Sequence, residues 1–173
     1  MKKIIPLLFF LILFGSSFAQ KKAKSNPNKD AVIKSVDGRN AQLTKLSDEI
    51  WSYAEPAFQE TKSAKALADF AEANGFTVQR GVAELPTAFV ATYGSGKPII
   101  GILGEFDALP GISQKAQPVK EALQEGAAGH GCGHNLFGVG SLAAAISVKE
   151  LLAQGKLKGT VKFFGTPAEE SGN

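Results

Sequence analysis

Both histidines and the single cysteine of this 173-residue chain fall within five consecutive positions, His130-Gly131-Cys132-Gly133-His134. A thiolate and an imidazole are donors that suit a divalent transition ion, so this cluster is a candidate metal site. In an extended backbone, residues two apart point to the same side, which would present Cys132 and His134 to one ion. The interspersed glycines would let the chain bend around that ion at little steric cost. The competing reading is a buried free cysteine beside a surface histidine.

A second chemical element is Glu169-Glu170, in the stretch GTPAEE that follows the β-rich residues 160–164 (TVKFF). Two adjacent carboxylates suit a division of labour in which one binds a metal and its neighbour accepts a proton. Asp107 stands at the matching end of another short apolar stretch, residues 99–104 (IIGILG). Sites in α/β sheets gather beyond the carboxyl ends of strands, so three separated segments could converge there.

Positioning these groups requires a sheet and helices. Leu43, Leu46, Ile50 and Tyr53 recur at helical spacing, and residues 63–74 (SAKALADFAEAN) predict a second helix that opens near Ser63 and stops at Gly75. Residues 87–93, 99–104 and 160–164 read as strands, the first two separated by Gly94, Ser95, Gly96 and Pro98. A loop over residues 107–134 leads into a third helix, about 136–154, with Leu142, Ile146 and Leu151 on its apolar face and Gly155 as its stop. The pattern predicts an α/β fold with a mixed central sheet flanked by helices.

GILGEFDALPGISQ, GHGCGHNLFG and GTPAEE, together with the earlier IWSYAEPAFQE, ANGF and PTAFVATYGSG, resemble the M20-type metallopeptidases and amidohydrolases. Within that family they are similar to the branch containing the large subunit of p-aminobenzoyl-glutamate hydrolase. The resemblance implies a zinc-peptidase-like catalytic domain with two divalent ions, zinc or manganese. Cys132 in a bridging position, His134 and Glu170 would be ligands, Glu169 the general base, and Asp107 the acid that supports the site. His130 would have a supporting role. Metal would lower the pKa of a water, Glu169 would take its proton, and the amide carbonyl of a small acyl-amino acid or dipeptide would be attacked. Asn135 stands where the wider group usually has Asp, which fits the aminobenzoyl-glutamate branch. Family members are more than twice as long, with more histidine ligands and a dimerisation domain downstream. The resemblance therefore implies a truncated domain, inactive alone, of a dimeric or oligomeric enzyme.

Other chemistries fit less well. A thiol hydrolase with Cys132 as nucleophile would lack a Gly-x-Cys strand-to-helix elbow. Gly138-Val139-Gly140-Ser141-Leu142-Ala143 fits a dinucleotide fingerprint but follows a loop, and Gly96-Lys97 is followed by Pro98 rather than a phosphate-loop continuation. A non-catalytic exported binding domain is the remaining alternative.

Charge supports a neutral folded unit. Lysines 2, 3, 21, 22, 24 and 29 crowd the N-terminus; without them and Asp30, 13 basic and 15 acidic residues remain from totals of 19 and 16. No basic surface for nucleic acid is expected. Lys2 and Lys3 precede an apolar run over residues 4–14, then Gly15, Ser16, Ser17, Phe18 and Ala19, the order of a secretory signal. The expected organisation is a signal peptide over residues 1–19, a flexible tail over 20–36 and an incomplete catalytic domain over 37–173. The chain is expected to be exported, periplasmic or secreted. Eleven apolar residues fall short of the ~20 that span a bilayer, so no stable anchor is expected.

Overall fold

The structure is a computed structural model that describes residues 26–171. The expected signal peptide over residues 1–19 and the first part of the expected tail lie outside these residues. Four helices, α1 (Pro27–Asp37), α2 (Asn40–Tyr53), α3 (Thr61–Ala73) and α4 (His134–Ala153), accompany four strands, β1 (Thr77–Arg80), β2 (Phe89–Ser95), β3 (Ile99–Glu105) and β4 (Gly159–Thr166). The sheet order is β1-β2-β4-β3. β1–β2 and β2–β4 run antiparallel, whereas β3 and β4, joined through α4, run parallel. The expected mixed sheet with flanking helices is the fold observed.

Strand alternation explains the core. In register, Phe89, Ala91, Val161 and Phe163 occupy one face of β2 and β4, and all four are buried against Ile50, Leu67, Ala71, Leu142 and Ile146 of α2, α3 and α4. Removing a phenyl ring such as that of Phe163 from this interior would cost about 3–5 kcal/mol. α4 is apolar and long enough to cross a membrane by composition alone. Its burial of Leu142, Ala145 and Ile146 identifies it instead as the central helix of this core.

Two glycines let α4 approach the sheet. A Cβ on Gly138 would lie 2.7 Å from the Glu105 carbonyl oxygen, and one on Gly104 would lie 2.5 Å from the Phe163 ring. Gly138 is one turn after His134, so this close approach brings the start of α4 to the end of β3.

The structure corrects three sequence expectations. Residues 27–36, expected to be flexible tail, form most of α1. Asn26 accepts the Asn28 N–H at 3.0 Å, Pro27 sits in the first turn, and Ser35 hydrogen-bonds Ser147 at 3.1 Å. α3 begins at Thr61, not Ser63. Its free N–H groups at Lys62 and Ser63 are capped by the Glu55 carboxylate at 2.9–3.1 Å, a tertiary substitute for a local cap. β1 was not anticipated: four residues with little apolar alternation become a strand because β2 offers its edge.

Candidate metal centre

β3 and β4 end level, with Glu105 in register with Thr166. The chain beyond each therefore starts from the same end of the sheet, where α4 also begins. Asp107, His134 and the turn carrying Glu169 and Glu170 meet there. The backbone at the cysteine motif is not extended as expected: Gly133 has φ 85° and ψ 26°, and His134 is already the first helical residue. The left-handed glycine turns the chain into the helix while keeping Cys132 beside His134.

One ligand atom each from Cys132, His134 and Glu170 lies within 4.8 Å of the others. Glu105, His134 and Glu169 form a second such group. Cys132 is exposed, His134 is buried, and Glu169 is half exposed.

Asp107, 1% exposed, organises the centre. Its Oδ1 lies 3.0 Å and its carbonyl oxygen 3.2 Å from His134 Nδ1. A carbonyl oxygen only accepts, so Nδ1 carries the hydrogen, and in the neutral ring Nε2 presents its lone pair to the acids. Asp107 Oδ2 accepts the Glu170 N–H at 2.8 Å, tying the β4 turn to the same carboxylate. From Nε2, the distances are 3.1 Å to Glu105 Oε2, 3.7 Å to Glu169 Oε2 and 3.9 Å to Glu170 Oε1.

The electrostatics suit a cation. Burial pushes the Glu105 carboxyl upward; His134 opposes this, and Glu169, Asp107 and Glu170 add to it. Desolvation, then the Glu170 carboxylate, pushes the Cys132 thiol upward. Glu170 Oε1 is enclosed without a hydrogen-bond partner. Among the described residues, no lysine or arginine forms an ion pair with these four carboxylates. A thiol, an imidazole nitrogen and carboxylate oxygens around an unpartnered buried oxygen form a donor set that fits a divalent ion.

Supports surround the centre. Glu60 is fully buried and accepts from Thr87 Oγ1 at 3.0 Å, Phe58 N–H at 2.9 Å and Ala168 N–H at 2.9 Å. The last bond holds the turn before Glu169, where Ala168 adopts φ 62°. His130 lies outside both donor groups. Its Nε2–H donates to the Ile50 carbonyl at 3.1 Å, and burial lowers its pKa below the usual histidine range. Asn135 points to Ser47, donating to its Oγ at 3.1 Å.

The five site residues named from the sequence thus meet at one end of the sheet, and sequence reasoning missed Glu105 and Glu60. Glu105 had a usable signal, standing two residues before Asp107 at a strand end. Glu60 had none, because two of its three donors, Thr87 and Ala168, lie in distant segments.

Residues 101–173 match the model of peptidase family M20/M25/M40. The chain is 47% identical over 141 residues to a p-aminobenzoyl-glutamate hydrolase chain of Escherichia coli, covering 80% of this chain and 29% of that protein. It is 34% identical over 159 residues to human Xaa-Arg dipeptidase, covering 79% and 31%. It therefore spans about three-tenths of the length of these curated relatives. Among solved structures, a dinuclear metal binding peptidase of the M20 family from Bacillus subtilis aligns with a TM-score of 0.60 and 28% identity, covering 78% of this chain and 36% of that one. The aminobenzoyl-glutamate utilization protein of Klebsiella pneumoniae shares the fold at a TM-score of 0.56 and 17% identity, covering 80% and 39%. The match to peptidase family M20/M25/M40 over residues 101–173 thus takes in Glu105, Asp107, Cys132, His134, Glu169 and Glu170.

Proposed function

We propose that the whole protein hydrolyses an amide bond in a small acyl-amino acid, of aminobenzoyl-glutamate or dipeptide type, with two divalent ions, zinc or manganese. The observation that carries this reading is the convergence of Cys132, His134 and Glu170 around the unpartnered Glu170 oxygen. The names of the relatives, a p-aminobenzoyl-glutamate hydrolase and a dipeptidase, support the substrate class. Thiolate and imidazole donors favour zinc, and the carboxylates admit manganese.

Cys132, His134 and Glu170 would hold an ion, which when bound supplies the Lewis acidity that makes a water acidic near neutral pH. Glu169 is half exposed and close to His134 Nε2, so its carboxylate is free to accept a proton and return it to the leaving nitrogen. Asp107 acts through others: it sets the His134 tautomer and anchors the Glu170 backbone. A thiol mechanism is disfavoured because desolvation and the carboxylates push the Cys132 thiol up, opposite to what a nucleophile needs. Export guided by residues 1–19 and assembly of the whole protein into a dimer or larger homo-oligomer complete the proposal.

The test is hydrolysis of p-aminobenzoyl-glutamate and a dipeptide panel by the whole protein, followed chromatographically before chelation, after it, and after return of zinc or manganese. Activity should vanish on chelation and return with metal. Hydrolysis that survives exhaustive chelation would support the thiol mechanism, and metal binding without any turnover would support a binding domain.

A further inference from the structure

The two donor groups share His134, yet only one of its nitrogens is available, because Nδ1 is committed to Asp107. Nε2 faces Glu105 Oε2 at 3.1 Å. In the neutral ring, with the hydrogen on Nδ1, both of these atoms are acceptors, and two acceptors at that separation repel unless a positive species, a proton on Nε2 or a metal ion, lies between or beside them. Two ligand bonds of about 2.0–2.2 Å to one ion, opened at ordinary coordination angles, end roughly 2.9–3.5 Å apart. The observed separation falls inside that span.

We propose that Glu105 is a further ligand of the ion that His134 holds, and that Glu169 remains outside it as the proton acceptor. The assignment rests on the metal-hydrolase reading above and deepens it. Glu105 ends β3 and has its backbone fixed by the sheet register; its side chain is 26% exposed. Glu169 has a side chain 50% exposed, against 26% for Glu105 and 16% for Glu170. A ligand needs a fixed position, whereas a proton carrier needs freedom to swing between water and leaving group. The close passage of Gly138 against the Glu105 carbonyl locks the start of α4 to the end of β3, so His134 and Glu105 are held as a pair.

The test compares wild type, Glu105→Gln, Glu105→Asp and Glu169→Gln of the whole protein by calorimetric titration with zinc and manganese and by the visible spectrum of the cobalt-loaded forms. Glu105→Gln is expected to weaken metal binding by about tenfold or more and to change the cobalt ligand-field bands while leaving the Cys132 thiolate-to-cobalt band in place. Glu105→Asp should recover part of the affinity, and Glu169→Gln should bind metal like wild type. Far-ultraviolet circular dichroism checks that each variant is folded. If Glu105→Gln binds metal as tightly as wild type with an unchanged cobalt spectrum, Glu105 is only an ion-pair partner of a protonated His134 and the assignment is overturned. If wild type itself binds no divalent ion, the metal-hydrolase reading fails and takes this assignment with it.

Discussion

Two groups of inward-facing carboxylates in this molecule are built in opposite ways. Glu60 is fully enclosed, and three donors, from Phe58, Thr87 and Ala168, converge on its two oxygens. At the end of β3 and β4, Glu105, Asp107, Glu169 and Glu170 crowd around one imidazole, and of these only Asp107 is well supplied with donors. The difference teaches how to distinguish a structural acid from a working one. A carboxylate that completes its own hydrogen bonds holds the fold; carboxylates that share too few donors await a cation or a proton.

The largest effect should come at the working end. Glu169→Gln keeps the side-chain shape but removes the proton acceptor, so hydrolysis by the whole protein should fall about 10²–10⁴-fold in kcat with metal content intact. Steady-state kinetics beside metal analysis checks this, and a loss below tenfold would show that Glu169 is not the base. At the structural end, Glu60→Ala leaves the Phe58 and Ala168 N–H groups without their acceptor, and stability should drop by roughly 2–4 kcal/mol in a urea titration. An effect within about 0.5 kcal/mol, the range of an ordinary surface substitution, would erase the contrast between the two groups.

Geometry between the regions is probed by a glycine pair on α4. Gly138→Ala forces a Cβ against the Glu105 carbonyl and should cost about 1–3 kcal/mol, whereas Gly140 has no neighbour within 4 Å of a built Cβ, so Gly140→Ala should add up to about 1 kcal/mol. Parallel melting curves compare them; equal shifts would deny that the close approach positions His134.

The smallest effect is also the most diagnostic in sign. In metal-stripped protein, Glu105→Gln should raise stability slightly, by up to about 1 kcal/mol near neutral pH, because it removes one of several crowded negative charges. The Glu105 carboxyl is raised in the folded state from an ordinary value of 4.5. Its protonated form therefore favours folding below that value, and the advantage is lost as pH rises through the folded pKa. The gap between variant and wild type should accordingly close as pH is lowered toward 4.5. A gap that widens on acidification would mean that Glu105 is stabilised as an anion, like a structural acid.

Much of this was legible in the sequence because it is local. Apolar periodicity located α2, α3 and α4, and short β-rich stretches located β2, β3 and β4 to within two residues at each end. α1 was obscured by a composition of Lys, Asn and Ser that resembles a solvated tail; its cap and its contact with Ser147 supply what propensity does not. β1 exists because β2 pairs with it, and no property of its four residues announces that.

The donor types, their clustering in HGCGH and GTPAEE and their placement at strand ends were determined by the sequence alone, since residue chemistry and backbone periodicity act over a few positions. Tertiary structure decided which His134 nitrogen faces the acids, that Asp107 spans 27 residues to reach it, that Glu60 reaches Ala168 across 108, and that Glu105 joins the centre. Those outcomes depend on how closely α4 packs against β3 and on which donors each buried oxygen meets, and packing of that kind joins residues whose order along the chain carries no record of their proximity.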